Sequence, residues 1–368
     1  MKKLLIVGVS SIVGGIETLF HKLFEDGSEV FDITFLCMGE KCAYADEYIA
    51  KGYHIDVIPS RKQNPLRFSS NVKTYFKEHP CFDYVWINTS STSMYQFQLY
   101  GKKYTSAKII THSHGTKFER TGKWIFHCAN HVLDILNYRK VIDNTDLFFC
   151  CSKAAGIALF GKKKEKDLII INNGISCDRF AFQKSYADNI RREFEIDDTT
   201  LLIGVVGRLS TQKNPLRVVE IFNTVLLKEP NAKLLFVGTG DLTSRVKESV
   251  AQKGIEEHVI FAGLRSDVNQ IYSALDVLLM PSLFEGLPLT AIEAQCAGVP
   301  CVLSSEITDE VAVTDIVQFV DLKSNDDLWA EFVVNSKNEF ARDNYCNILK
   351  VAGYDYSNTK NMIERLLG

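Results

Sequence analysis

Along the chain, short apolar runs alternate with longer stretches in which apolar residues return every three or four positions. Continuous apolar runs suit strands buried on both faces, and the stretches between them have the period of amphipathic helices, so the pattern predicts parallel sheets covered by helices. In the first half, strands are expected over 3–8, 31–37, 54–58, 83–88, 107–112, 146–150 and 168–171, with helices between them, for example over 15–25, 66–78 and 152–160. The second half repeats the scheme, with strands near 201–206, 233–237, 258–261, 276–280 and 300–303 and helices near 214–228, 241–253 and 288–297. Two doubly wound, Rossmann-like α/β domains result, over 1–178 and 179–353. Their seam is expected at 174–182, where the last strand of the first half gives way to Asn172-Asn173-Gly174 and a polar segment.

The length agrees: 368 residues at roughly 100–200 per domain make two domains rather than one. A hydrophobic share of 46% supplies both cores. The net charge of −3 hides an asymmetry, because residues 1–180 hold 24 Lys and Arg against 18 Asp and Glu, leaving 18 against 27 for the remainder. The basic first half suits an anionic partner such as a membrane surface or a phosphorylated acceptor. No recognition motif accompanies the charge, so nucleic acid is not expected. Ten cysteines lie mostly in apolar strand or helix contexts, with no Cys-x-x-Cys spacing and with Cys150 and Cys151 adjacent. They read as reduced core thiols, supporting neither a zinc nor a redox site. Met1 to Gly8 reads as a first core strand rather than a signal peptide, and no run approaches the roughly 20 apolar residues of a membrane span. The expected location is cytoplasmic.

Candidate chemistry concentrates in Phe284-Glu285-Gly286-Leu287-Pro288-Leu289-Thr290-Ala291-Ile292-Glu293-Ala294. Pro288 fits a first helical position and Gly298-Val299-Pro300 a stop, so a helix opens just after Glu285 and carries Glu293 two turns in. Its first turn offers free N–H groups and partial positive charge to a diphosphate. Two carboxylates flanking an anion site suggest a nucleotide-sugar, with sugar hydroxyls on Glu285 and ribose hydroxyls on Glu293. The plain alternative is a loop charge and a solvated helix Glu.

Taken with Val206-Gly207-Arg208-Leu209-Ser210-Thr211-Gln212-Lys213-Asn214, that stretch resembles glycosyltransferase family 4, the retaining enzymes of the GT-B fold. Gly14-Gly15-Ile16-Glu17, Asn173-Gly174-Ile175 and Phe236-Val237-Gly238-Thr239-Gly240-Asp241 extend the likeness over nearly the whole chain, most densely between 203 and 303. The resemblance implies two Rossmann-like domains facing across a cleft. It also implies an N-terminal domain that binds the acceptor, a C-terminal domain that binds the nucleotide-sugar, and a last helix, within 354–368, that crosses back to the first domain.

Arg208 and Lys213 both follow the strand at 201–206, where their cations would clamp a diphosphate and stabilise the charge that grows as the glycosidic bond to phosphate breaks. In the resembled family the matching pair does this without a metal, so no cofactor is expected. Taken singly, each is equally well a solvated surface cation. Gly14-Gly15 opens a helix where backbone would approach a phosphate or sugar, although a plain turn explains it too. The turn lacks G-x-G-x-x-G spacing and a P-loop Lys, which excludes nicotinamide and ATP readings there. Glu17 reads as support for that loop.

The family also places a histidine beside the reacting carbon. His114 is the closer match, while His112 is the alternative and fits packing beneath the loop. Leu264 and its neighbours in Phe261–Asp267 match the loop that holds the base through backbone groups, which suits uracil and leaves guanine open. Gly238 and Gly240 either keep the ribose wall clear or form an ordinary tight turn. The segment 117–140, with Lys102-Lys103 and Lys162-Lys163-Lys164, mixes cations and aromatics. It suits either an anionic membrane leaflet or a half-solvated helix.

The expected activity is transfer of a sugar, with retention, from a nucleoside-diphosphate sugar to a saccharide hydroxyl. By resemblance the acceptor is lipid-linked, on a polyprenyl diphosphate, in bacterial capsule, exopolysaccharide or lipopolysaccharide assembly. A nucleotide-sugar hydrolase or epimerase on the same fold, or a binding protein with a retired site, are the alternatives.

Overall fold

The computed structural model describes residues 1–115, 135–336 and 342–368. They form two compact units, Met1–Asn173 with Tyr356–Gly368, and Gly174–Asp355. The first holds a seven-stranded sheet of β1 (Lys2–Val7), β2 (Phe31–Met38), β3 (His54–Ile58), β4 (Tyr84–Thr89), β5 (Lys108–Ser113), β6 (Leu147–Cys150) and β7 (Leu168–Ile170). Every pairing is parallel and the order is β3-β2-β1-β4-β5-β6-β7. Fully buried Trp86 meets Phe20 and Phe149 edge to face in its core. The helix Tyr356–Leu367 adds Ile363 and Leu367 to the same core, so the chain's last helix belongs to the first unit.

The second unit holds β8 (Leu201–Val206), β9 (Ala232–Val237), β10 (Val259–Gly263), β11 (Val277–Met280), β12 (Cys301–Ser304) and β13 (Val317–Val320), again all parallel, in the order β10-β9-β8-β11-β12-β13. Strand positions agree with the hydrophobic pattern to within one or two residues, with one addition. β13 is an edge strand whose burial alternates instead of running unbroken, and its short Val-Gln-Phe-Val sequence carries no continuous apolar signal. The helices Ala45–Ala50 and Tyr95–Tyr104 fill gaps between first-half strands where helices are expected, while Lys184–Glu193, Val268–Ala274, Asp326–Asn335 and Tyr345–Val351 are additions.

In both sheets the strand order reverses direction beside the first strand, between β1 and β4 and between β8 and β11. In doubly wound sheets, ligands bind beyond the carboxyl ends of the strands at that point, because the flanking loops diverge and leave a crevice. The loops after β8 and β11 are the ones that carry Arg208, Lys213 and Glu285. Among the described residues, no helix is long and apolar enough to cross a membrane.

Candidate active site

After β8 the chain turns at Gly207, whose φ of +133° suits glycine, and reaches Asn214, which takes the left-handed conformation at φ 54° just before Pro215 opens the helix Pro215–Lys228. Four bonds tie this turn to the loop after β11. Leu283 N–H donates to the Gln212 carbonyl at 2.8 Å. Gln212 Nε2 donates to the Phe284 carbonyl at 3.0 Å and to Glu285 Oε2 at 3.2 Å, and Asn214 Nδ2 donates to the Pro281 carbonyl at 3.2 Å.

Lys213 and Glu285 meet inside this frame, Nζ to Oε1 at 2.8 Å, with side chains only 18% and 9% exposed. A Cβ on Gly207 would stand 3.5 Å from Lys213 Cε, so the glycine borders the lysine stem. Arg208 lies on the same turn, but its side chain is exposed and has no partner among the described residues. Gln212 was not singled out from the sequence, although it stands within the quoted motif.

The helix after Glu285 runs Leu289–Cys296. Pro288 is its N-cap in extended conformation, φ −72° and ψ 107°, rather than the first helical residue. Pro288 lacks the N–H that the cap position does not need, and its carbonyl accepts from Ala291 and Ile292. Counted from Leu289, Glu293 stands just over one turn into the helix, not two. Leu287 is buried, Gly286 and Leu289 are partly exposed, and the Thr290 hydroxyl oxygen is buried with no hydrogen-bond partner.

Glu293 accepts a bond from the Tyr272 hydroxyl, Oε2 at 2.9 Å. Burial raises the Glu293 carboxyl to about 7, against the opposing pull of the Tyr272 bond and of the Arg179 and Lys213 cations. Burial and the neighbouring Glu293 charge push the fully buried Tyr272 hydroxyl well above its ordinary value. Glu293 is thus held by a phenol at the edge of charge neutrality, not loosely solvated. Tyr272 has no sequence signature, because Ile271-Tyr272-Ser273-Ala274 reads as any core helix.

The glycines after β9 have a packing reason. A Cβ on Gly238, at φ +129°, would lie 2.1 Å from the Gly207 carbonyl oxygen, and one on Gly240 would lie 2.4 Å from that of Leu209. Both glycines let the turn after β9 lie against the Arg208 turn, where Gly207 N–H donates to Val237 and Leu209 N–H to Thr239. At the end of β10, Gly263 takes a φ of +68°, and Leu264 just after it is 80% exposed.

In the first unit, Gly14 caps the helix Gly15–Phe24 and Glu17 folds back, Oε1 accepting from Ser10 N–H at 2.8 Å. A Cβ on Gly15 would meet nothing. His112 is completely buried, and its Nδ1 accepts from Trp86 Nε1 at 3.3 Å. His114 bonds Asn88 Oδ1 through Nε2 at 2.8 Å, and Asn88 Nδ2 donates to the Val7 carbonyl. That network assigns the His114 proton to Nε2 and leaves Nδ1 as a bare, buried acceptor. Burial pushes His114 down to about 3 and, with His114 beside it, lowers His112 well below the usual histidine range, so both are neutral near pH 7.

The membrane reading of 117–140 falls largely outside the described residues. Among those described, no group of three or more His, Cys, Asp or Glu is placed to hold a metal ion.

Comparison with known proteins fits this geometry. Residues 187–326 match the family described as Glycosyl transferases group 1. The chain is 28% identical over 356 residues to the putative glycosyltransferase EpsF of Bacillus subtilis, covering 93% of this chain and 90% of the relative. It is 23% identical to the Escherichia coli UDP-Gal:alpha-D-GlcNAc-diphosphoundecaprenol alpha-1,3-galactosyltransferase over 81% of this chain and 78% of that one. Among solved structures, Anabaena HepE in complex with UDP superposes with a TM-score of 0.76 at 16% identity, covering 100% of this chain and 99% of that one. The fold, the match over residues 187–326 and the full-length relatives agree: the chain is a glycosyltransferase of the GT-B fold whose second unit carries the region similar to the glycosyl transferases group 1 family.

Proposed function

We propose that this enzyme moves a sugar, with retention of anomeric configuration, from a UDP-sugar to a hydroxyl of a lipid-linked saccharide during surface polysaccharide assembly. The observation that carries the reading is the Lys213–Glu285 pair at the strand-order reversal of the second sheet, beside the start of the helix Leu289–Cys296. With no donor bound, each charge neutralises the other. A diphosphate entering at the helix start draws Lys213 away, and Glu285, still held by Gln212, turns its freed oxygen to the sugar hydroxyls.

Arg208, exposed on the same turn, closes on the phosphates from solvent. As the sugar C1–O bond to phosphate breaks, Arg208, Lys213 and the helix N–H groups take up the charge developing on the departing oxygen. That oxygen accepts the proton of the acceptor hydroxyl while the new C1–O bond forms on the same face, so no separate general base and no metal are needed. Glu293 takes the ribose hydroxyls and the loop at Gly263-Leu264 the uracil.

Support for a UDP donor and a polyprenyl-diphosphate acceptor comes from the E. coli relative, a UDP-Gal:alpha-D-GlcNAc-diphosphoundecaprenol alpha-1,3-galactosyltransferase. The purified protein tests the reading when incubated with a panel of UDP-sugars, with and without an undecaprenyl-diphosphate-linked saccharide. Products are resolved by mass and by the anomeric proton coupling of the new linkage. Acceptor-dependent UDP release with an α-linked product supports it. Acceptor-independent release of free sugar makes the protein a hydrolase, and an inverted linkage removes retention.

A further inference from the structure

Arg342, just ahead of the helix Tyr345–Val351, has a set of partners that the donor site alone does not explain. Its Nε donates to the Ala297 carbonyl at 2.8 Å, Nη1 to those of Ser273 at 3.1 Å and Leu275 at 3.2 Å, and Nη2 to that of Tyr272 at 2.9 Å. The Phe182 ring lies 4.5 Å from its Cζ. Every hydrogen-bond acceptor is a neutral carbonyl, and no carboxylate among the described residues forms an ion pair with it. Burial holds the guanidinium at about 10, below its ordinary value but still charged near neutral pH.

These four carbonyls are the spent ends of two helices. Tyr272, Ser273 and Leu275 close the helix Val268–Ala274, and Ala297 follows the helix Leu289–Cys296. Carbonyls at helix C-termini lack intrahelical donors and carry partial negative charge, so one planar fork bonded to both ends fixes the two helices relative to each other. Gly298, at φ +65°, makes the approach possible, since a Cβ there would stand 2.8 Å from Arg342 Cβ. The two clamped helices are the ones that supply Tyr272 and Glu293. Nη2 grips the backbone of the tyrosine whose hydroxyl holds Glu293, while Nε grips Ala297, whose N–H in turn donates to the Glu293 carbonyl at 3.1 Å.

We propose that Arg342 is a positioning residue for donor binding, setting the spacing of the two helices so that Tyr272 presents the Glu293 carboxylate to the nucleotide's ribose. The proposal rests on the assignment of Glu293 to ribose made above. A lysine carries a point charge and cannot reproduce the fork, so it serves the charge but not the geometry.

The test is the affinity of the full chain for UDP, by titration calorimetry, in wild type, R342K, Y272F, R342K/Y272F and E293Q. Loss of one well-placed bond to a carboxylate weakens binding about tenfold or more. R342K and Y272F are each expected to raise the Kd for UDP by about tenfold, with the double variant no weaker than E293Q, because both act through one carboxylate. A purely structural Arg342 would lower the melting temperature and the active fraction while leaving the Kd of the active molecules unchanged. Wild-type Kd in R342K and Y272F beside a weakened E293Q overturns the proposal alone, as do losses that multiply in the double variant. Wild-type Kd in E293Q overturns the ribose assignment and the proposal with it. If R342K does not fold, F182L takes its place, removing the ring beneath the guanidinium and leaving its donors intact. The Kd for UDP is then expected to rise about threefold, and an unchanged value overturns the proposal.

Discussion

The ammonium of Lys213 sits 2.8 Å from Oε1 of Glu285, although the two residues come from loops on adjacent strands, after β8 and after β11. Both side chains are mostly buried, so each depends on the other until a ligand arrives. Removing Lys213 alone leaves Glu285 with its nearest counter-charge gone in a water-poor site. K213A is therefore expected to lose about 1–3 kcal/mol of stability in urea titration as well as about 100-fold or more in turnover. K213A/E285A should regain much of the stability and none of the turnover. A double variant as unstable as K213A would show that the two charges are not coupled.

Glu293 gives a pH signature. Its carboxyl titrates near 4.5 in the unfolded chain and is raised to about 7 in the folded one, mainly by burial. The folded state therefore holds the proton more tightly, and the stability this group contributes is complete below about 4.5 and lost as pH rises through about 7. The second unit, without ligand, should lose stability over that window, and E293Q should flatten the change. On the proposed role, in which ribose hydroxyls donate to the ionised carboxylate, UDP binding should strengthen over the same interval in wild type and not in E293Q. Parallel pH profiles for both proteins would remove Glu293 from either role.

Gly238 offers a test of the scaffold. A methyl group there meets the Gly207 carbonyl oxygen at 2.1 Å, on a backbone at φ +129° that side chains rarely adopt. G238A must push the turn after β9 off the Arg208 turn, with an expected loss of about 2–4 kcal/mol. G15A, where a Cβ meets nothing, should stay within about 0.5 kcal/mol of wild type. Equal thermal shifts for the two would contradict the packing reason given for Gly238.

Twelve of the thirteen strands among the described residues were legible because a strand buried on both faces writes itself as an unbroken apolar run. β13 was not, since an edge strand with one wet face has no such run in four residues. The loop motifs told where chemistry concentrates, and Lys213 and Glu285 do meet. Their supports were hidden for a physical reason. Gln212 and Tyr272 act through tertiary bonds to residues 73 and 21 positions away, and Arg342 through carbonyls of segments at least 45 positions distant. None of these leaves a local pattern. Pro288 shows the opposite error, in which a sound local preference placed the helix start one residue early.

The central claim is that Arg208 and Lys213 grip the departing diphosphate, and the rate of sugar transfer from a UDP-sugar by R208A measures it most directly. Arg208 is exposed and its side chain has no partner among the described residues, so its removal should leave the melting temperature within about 3 °C of wild type. The account predicts that turnover nonetheless falls about 100-fold or more. An R208A enzyme that transfers sugar at the wild-type rate would contradict it.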